Sequence, residues 1–198
     1  MLRIFGFAAI VLGGSLAAAP AFAQEAGRSE VSVQAFGSFV KSTTDNGVQQ
    51  SATDSGGVLA NYRFFFTSDN GVEVNYGYSL NTQTYGLPTG PLGVKAHQDE
   101  VSAAYVYRHP LRRFTPFAEA GVGALIFDPK DTPEASTQTR AAFVYGAGAD
   151  FKLAKRVFLR AEYRGLVYDS PTFGLSDTLG PDRVTHRAEP SIGFGYRF

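Results

Sequence analysis

The sequence predicts an all-β fold, an eight-stranded antiparallel up-and-down transmembrane β-barrel over residues 24–198, behind a signal peptide over residues 1–23. Three observations carry this expectation. The chain opens on a secretory leader. Stretches of about 10 residues or more then alternate apolar and polar side chains, the length a tilted membrane-crossing strand requires. The connections between them alternate short and long.

In the leader, Arg3 supplies the positive n-region and Ile4 to Leu16 the apolar run. Ala21-Phe22-Ala23 forms the small-x-small cleavage site before Gln24. The apolar run is short beside the ~20 residues of a spanning helix, which disfavours an anchor helix. About 175 residues remain after cleavage, enough for one domain. Lys+Arg and Asp+Glu each total 18. No field of one sign therefore points to nucleic acid or another strongly charged partner. The absence of cysteine excludes thiolate metal sites and thiol nucleophiles, and the exported fold must stand without disulfides. Ten Tyr and 17 Phe against no Trp make a strand-favouring aromatic set.

The first strand is expected at 29–40, with Val31, Val33, Ala35, Gly37 and Phe39 on its apolar face. The second, 57–67, sets Val58, Ala60, Tyr62, Phe64 and Phe66 against Leu59, Asn61, Arg63 and Phe65. The third, 72–84, sets Val72, Val74, Tyr76, Tyr78 and Leu80 against Glu73, Asn75, Gly77, Ser79 and Asn81. The fourth, 98–108, opposes Val101, Ala103, Tyr105 and Tyr107 to Glu100, Ser102, Ala104 and Arg108. In the fifth, 115–127, Ala118, Ala120, Val122, Ala124 and Ile126 are taken outward, with Glu119, Gly121 and Gly123 inward. The sixth, 140–153, turns Phe143, Tyr145 and Phe151 outward and Gly146, Gly148 and Asp150 inward. The seventh, 156–168, places Arg160, Glu162 and Arg164 inward. The eighth ends the chain, with Ile192, Phe194, Tyr196 and Phe198 on one face and Arg187, Glu189, Ser191 and Arg197 on the other.

Ser68-Asp69-Asn70-Gly71, residues 109–113 and Ala154-Lys155 read as tight turns, the first with an Asn-Gly hairpin signal. Residues 41–56, 85–97, 128–139 and 169–182 read as long polar loops. Short turns on the periplasmic side and long loops outside put both termini in the periplasm.

A soluble sandwich or lipocalin-like barrel would alternate equally well. Its apolar calyx conflicts with the polar faces here, which carry Arg63, Glu73, Glu100, Arg108, Glu119, Asp150, Arg160, Glu162, Arg164, Arg187, Glu189 and Arg197. Aromatics on the opposite faces gather near strand ends, Phe66, Tyr107, Phe151 and Phe198 at one rim and Phe39, Tyr78 and Phe143 towards the other, a two-interface girdle. In a barrel of this size side chains fill the interior. The balanced inward charges are therefore expected to pair across the lumen, whereas an ion-selective pore would show an excess of one sign.

The pairs Gly121/Gly123, Gly146/Gly148 and Gly193/Gly195 lack the strand-turn-helix context of a nucleotide loop. They read as relief of inward bulk. His97, His109 and His186 have no metal-ligand spacing, and Ser191 and Glu189 lie opposite His186 on their strand, so no catalytic or metal site is expected. Asp128, Asp131, Asp169, Asp177 and Asp182 make the loops mildly acidic without calcium-loop spacing.

Four segments carry a family likeness: residues 114–123 (FTPFAEAGVG), 145–153 (YGAGADFKL), 160–164 (RAEYR) and the terminal GFGYRF. In these the chain resembles the outer-membrane barrels related to the OmpA transmembrane domain and the opacity-type surface proteins. The resemblance implies a role in envelope structure or surface interaction, and no cofactor. It implies that Phe194, Tyr196 and Phe198 form the signal read by the barrel-assembly machinery, with periplasmic chaperones and outer-membrane lipid and lipopolysaccharide as further partners. Pro190 departs from the strand pattern and suggests a bulge. No wall-binding domain is read after Phe198, so tethering to peptidoglycan is not expected.

The leading expectation is thus a non-enzymatic outer-membrane protein with a filled interior. A narrow passage for small or apolar solutes is the alternative, motivated by the apolar loop Tyr85 to Gly93; a lipid-modifying barrel enzyme is the third, and the polar loop 41–56 leaves an adhesin role open. The compact barrel is expected to migrate differently before and after boiling on a gel of the outer-membrane fraction; migration that ignores heating would refute the fold.

Overall fold

The computed structural model describes residues 28–45, 48–87, 90–130, 135–173 and 184–198. The leader and its cleavage residues Ala21, Ala23 and Gln24 lie outside this set, as do Asp131, Asp177 and Asp182. The strands are β1 (Ser29–Val40), β2 (Thr43–Asp45), β3 (Val48–Ala52), β4 (Ser55–Phe65), β5 (Asn70–Leu87), β6 (Gly90–Arg108), β7 (Phe114–Pro129), β8 (Gln138–Lys152), β9 (Val157–Asp169) and β10 (Val184–Arg197). Eight of them, β1 and β4 to β10, pair antiparallel with both neighbours and close into a barrel. The β2–β3 hairpin lies beyond the ring, joined through β3 to the far end of β5.

Closure rests on β1 and β10, the first and last strands, from Glu30↔Arg197 to Val40↔Arg187. Pro190, on β10, has no N–H to give, and the ladder is interrupted opposite Gly37 and Ser38. The register is the same on both sides of the gap, so no residue is inserted. The bulge expected at Pro190 is absent, replaced by two unpaired positions.

Strict alternation sorts the side chains. Arg63 is 1% exposed while Val33, on the neighbouring strand, is 59% exposed. Outward faces carry Val, Ile, Phe and Tyr, and the aromatics of both rims point away from the lumen. Such inversion, charge inside and apolar surface outside, is what a lipid solvent selects.

The connections define two ends. At the turn end, residues 66–69, 109–113 and 153–156 link the strands tightly. Thr67 organises the first turn, its Oγ1 accepting from the Asn70 backbone N–H at 2.9 Å. Asn70 and Gly71 already belong to β5, so they follow the turn and do not form its centre. Gly71 is required by close approach: a Cβ there would lie 2.6 Å from the Phe64 carbonyl oxygen.

At the loop end two expectations change. Residues 85–87 and 90–97 form the upper arms of the β5–β6 hairpin, paired continuously from Leu87↔Gly90 downward, and residues 41–56 contain β2 and β3. Glycine and proline at 86–93 suggested a loop, yet cross-strand bonding above the apolar belt extends the ladder.

Glycine at 148 clears space for an aromatic ring: a Cβ there would sit 2.7 Å from Phe117 Cζ. The Cβ of any residue at 195 would overlap the Phe158 ring. Gly195→Val is expected to destabilise the barrel by about 1–3 kcal/mol, the usual cost of overpacking. Urea unfolding of protein refolded in lipid vesicles checks this; an unchanged midpoint would sink it.

Candidate functional site

The interior is organised in layers along the barrel axis. Nearest the turn end, Glu30 on β1 accepts hydrogen bonds from Arg108 (β6), from Arg197 Nε (β10) at 2.7 Å and from Arg160 Nη2 (β9) at 3.2 Å. Arg160 also forms a two-pronged pair with Asp150 on β8, at 2.7 and 2.9 Å. Arg197 Nη2 reaches the same carboxylate at 3.8 Å.

The middle layer centres on Arg63 of β4. Its Nε donates to Glu73 on β5, and its Nη2 donates to Glu119 (β7) at 3.0 Å and Glu162 (β9) at 3.3 Å. Gln34 of β1 donates to Glu162 at 2.9 Å. Ser191 on β10 donates to Gln34 Oε1 at 2.9 Å. The third layer joins Arg164 (β9) to Glu100 (β6), to Glu189 (β10) at 3.2 Å and to Glu119 at 3.4 Å. Arg187 (β10) binds Glu189 at 2.6 Å, Glu100 at 3.0 Å and the Gln98 amide oxygen at 2.8 Å.

The network is continuous: Arg160 links the first two layers and Glu119 the second and third. Shielded from water, each charge is affordable only with a partner, and the planar guanidinium fork can serve several at once. Aromatic rings help. Arg63 lies over Phe117 at 3.9 Å, Arg108 over Phe65 at 3.4 Å and Arg197 over Phe158 at 5.3 Å.

All the inward charges expected from the pattern are buried except Arg197, which is partly exposed at the rim, and all of them meet in this network. Glu30 is the member that sequence reasoning passed over. Its signal was available, since it shares the inward phase of Ser32, Gln34 and Ser38. With Glu30, the described lumen holds seven carboxylates, on Glu30, Glu73, Glu100, Glu119, Asp150, Glu162 and Glu189, against seven guanidiniums, the six of Arg63, Arg108, Arg160, Arg164, Arg187 and Arg197 and that of the partly buried Arg140 nearer the loop end, whose Nη2 donates to Gln138 Oε1 at 3.3 Å. Glu73, Glu119 and Glu162 offer oxygens all within 4.8 Å of one another, the one such grouping among the described residues. Arg63 sits against all three, and Arg160, 3.8 Å from Glu73, and Arg164, 3.4 Å from Glu119, share in meeting their charge.

Above the charges the lumen changes character. Val94, Ala96, Leu125, Phe127, Ala142, Val144, Leu166 and Tyr168 form an apolar wall from β6 to β9. Phe173, from the segment after β9, inserts its ring into this wall and is fully buried. Its backbone is left-handed, at φ 53°, a conformation costly for a bulky residue and held by the surrounding bonds. Ser136 donates to its carbonyl from both backbone N–H (2.9 Å) and hydroxyl (3.2 Å). The facing wall, from β1 and β4 to β6, is polar: Ser38, Ser55, Asn75, Asn81, Gln83 and Gln98 carry buried atoms without a protein partner among the described residues.

On the outer face near the loop end, His97 Nδ1 pairs with the Tyr78 hydroxyl at 2.9 Å and His186 Nε2 with the Tyr145 hydroxyl at 2.8 Å. Among the described residues the side-chain hydrogen-bond partner of each of these histidines is a tyrosine. Beyond them, the hydrogen bond from Lys130 holds the Asp128 carboxyl below the usual carboxylate range.

The sequence matches the profile described as "Outer membrane protein beta-barrel domain" over residues 8–198. No curated protein matches the chain. Among solved structures, Neisserial surface protein A (NspA) aligns with a TM-score of 0.65 at 16% identity, covering 88% of this chain and 100% of that one. The outer membrane protein OprG from Pseudomonas aeruginosa gives 0.61 at 17%, covering 88% and 97%. The attachment invasion locus protein Ail of Yersinia pestis gives 0.54 at 18%, covering 88% and 100%. At these identities the likeness establishes the fold.

Arg63→Met is expected to leave Glu73, Glu119 and Glu162 crowded without their cation and to cost about 3–5 kcal/mol, as for a broken buried ion pair. Adding Glu73→Gln is expected to recover part of that loss. Equilibrium unfolding in vesicles measures both, and equal stability of Arg63→Met and the parent would refute the central role given to this arginine.

Proposed function

Because the chain belongs to the outer membrane protein beta-barrel domain family, we propose that it is a non-enzymatic integral barrel of the bacterial outer membrane, structural or surface-interacting in role and closed to steady ion flow. The observation that carries this reading is the lumen itself, charged pairs through its lower half and Phe173 packed against an apolar wall above. A conducting pore of this diameter would need an open file, and the guanidinium layers cross the axis from strand to strand.

In this reading the turn end faces the periplasm, as short turns do in such barrels, and the long hairpins project outward. The exposed face of Phe194, Tyr196 and Phe198 at the end of the closing strand supports recognition by the barrel-assembly machinery, after delivery by periplasmic chaperones. Lipopolysaccharide would then surround the loop-end rim.

One observation favours a second reading, a narrow passage for small solutes. The Asn81 amide, the amide nitrogens of Gln83 and Gln98 and the Ser38 hydroxyl, without a protein partner among the described residues, face the apolar wall, and water or a small polar solute would satisfy them.

Planar-bilayer recordings are expected to stay silent for the parent chain; large steady conductance would overturn the closed-lumen reading. Low conductance that grows in Phe173→Ala would instead support the passage. Because the chain has no cysteine, single-cysteine variants report orientation cleanly. Lys130→Cys should react with an impermeant reagent in whole cells, and Ser68→Cys only after lysis.

A further inference from the structure

The turn end carries a cleft of about 150 Å³ between the 109–113 and 153–156 turns. Its exposed cations are Arg112 and Arg113 from the first turn, Lys152 from the end of β8, and Lys155 and Arg156 from the second. Among the described residues no carboxylate pairs with any of these five side chains; Arg156 donates only to the Tyr196 hydroxyl, at 3.1 Å. Asp150, the one acid lining the cleft, is already engaged by Arg160 at 2.7 Å and by Arg197 at 3.8 Å. In a chain whose charges total 18 of each sign, this concentration is local and uncompensated.

Beside the cations, on the outer wall, stands an apolar flank. Leu111 and Leu153 are exposed in the two turns, and Phe114, Phe151 and Val157 are exposed at the adjoining strand ends. The Phe114 and Phe151 rings pack at 5.3 Å between centroids and continue the outward apolar belt. A ligand seated here meets cations at head-group level and apolar surface at acyl-chain level, in one place.

We propose that this cleft is a binding site for the phosphate of an anionic phospholipid in the leaflet at the turn end, its acyl chains lying on Leu111, Phe114, Phe151 and Leu153. The cationic cleft supplies charge complementarity to the phosphodiester, and the aromatic flank distinguishes a lipid from a soluble anion. The inference rests on the orientation proposed above, because phospholipid occupies the periplasmic leaflet. A dissolved polyanion would use the same cations without the flank.

The test refolds the full chain into nanodiscs of phosphatidylcholine with one-tenth phosphatidylglycerol, followed by native mass spectrometry of retained lipid. Retained phosphatidylglycerol should exceed its bulk share by roughly tenfold, given the attraction per cation at an anionic surface. That enrichment should vanish in the Arg112→Gln, Arg113→Gln, Lys152→Gln, Lys155→Gln, Arg156→Gln variant. It should persist when the same sites exchange Arg for Lys and Lys for Arg. Unboiled gels verify that each variant is folded; should the fivefold variant fail, the two pairs Arg112/Arg113 and Lys155/Arg156 are neutralised separately. Absence of enrichment in the parent overturns the proposal, as does enrichment that survives neutralisation. Equal loss on neutralising Lys95 and Lys130 at the other end would show diffuse attraction and overturn it too. Complete displacement by millimolar glycerol phosphate would leave an anion cleft and refute the lipid assignment. Cysteine labelling at residue 68 reads orientation independently, so an inverted barrel is told apart from an empty cleft.

Discussion

The pairing of β1 with β10 is the constraint on which everything else in this molecule depends. A sheet in hydrocarbon has no water to satisfy a free edge, so every strand needs two neighbours and the last must find the first. Once the ring is closed, the alternation of side chains has only one inside. The inward residues of all eight strands then share a lumen narrow enough for arginine to reach across it. Closure thus fixes which residues become buried, and burial decides that they must be charged in pairs or apolar in clusters.

The lower lumen takes the first solution, and the β6–β9 side of the upper lumen takes the second. Arg63, Arg160 and Arg164 each engage carboxylates from several strands, using the fork geometry that lysine lacks. The upper wall instead packs leucine, valine and aromatic side chains, and admits a residue from outside the strands, Phe173, as its last member. A left-handed backbone at a bulky residue is tolerated only where the surroundings over-determine it. The bonds from Ser136, together with the buried ring, do so here.

Much of this was legible in the chain. Period-two alternation reported the face of each strand, because a slip of one residue would turn every arginine into lipid. The charges at 63, 73, 119, 160, 162 and 164 fall in one compartment on the sequence alone, since only one face of each strand carries them. What the sequence could not report was extent and partnership. Glycine and proline between residues 86 and 93 imitate a loop, although a ladder continues above the membrane belt where local propensity is overridden by pairing. The apolar upper wall escaped notice for a related reason: Leu125, Phe127, Leu166 and Tyr168 break the polar-inward rule and look like noise until the strands are set side by side. Pro190 signalled a bulge by its missing N–H, but two lost pairings satisfied the geometry without inserting a residue.

The way Arg63 is partnered bears on how the protein folds. Its carboxylates come from β5, β7 and β9, and the nearest is 10 residues away in sequence while the farthest is 99. A hairpin entering the bilayer alone could neutralise only one of them, and the remainder would meet hydrocarbon as bare charge. Partly inserted sheets are therefore penalised in proportion to the ions they carry inward. The cross-strand pairing of Arg63 thus disfavours burying part of the sheet in lipid before the ring is complete.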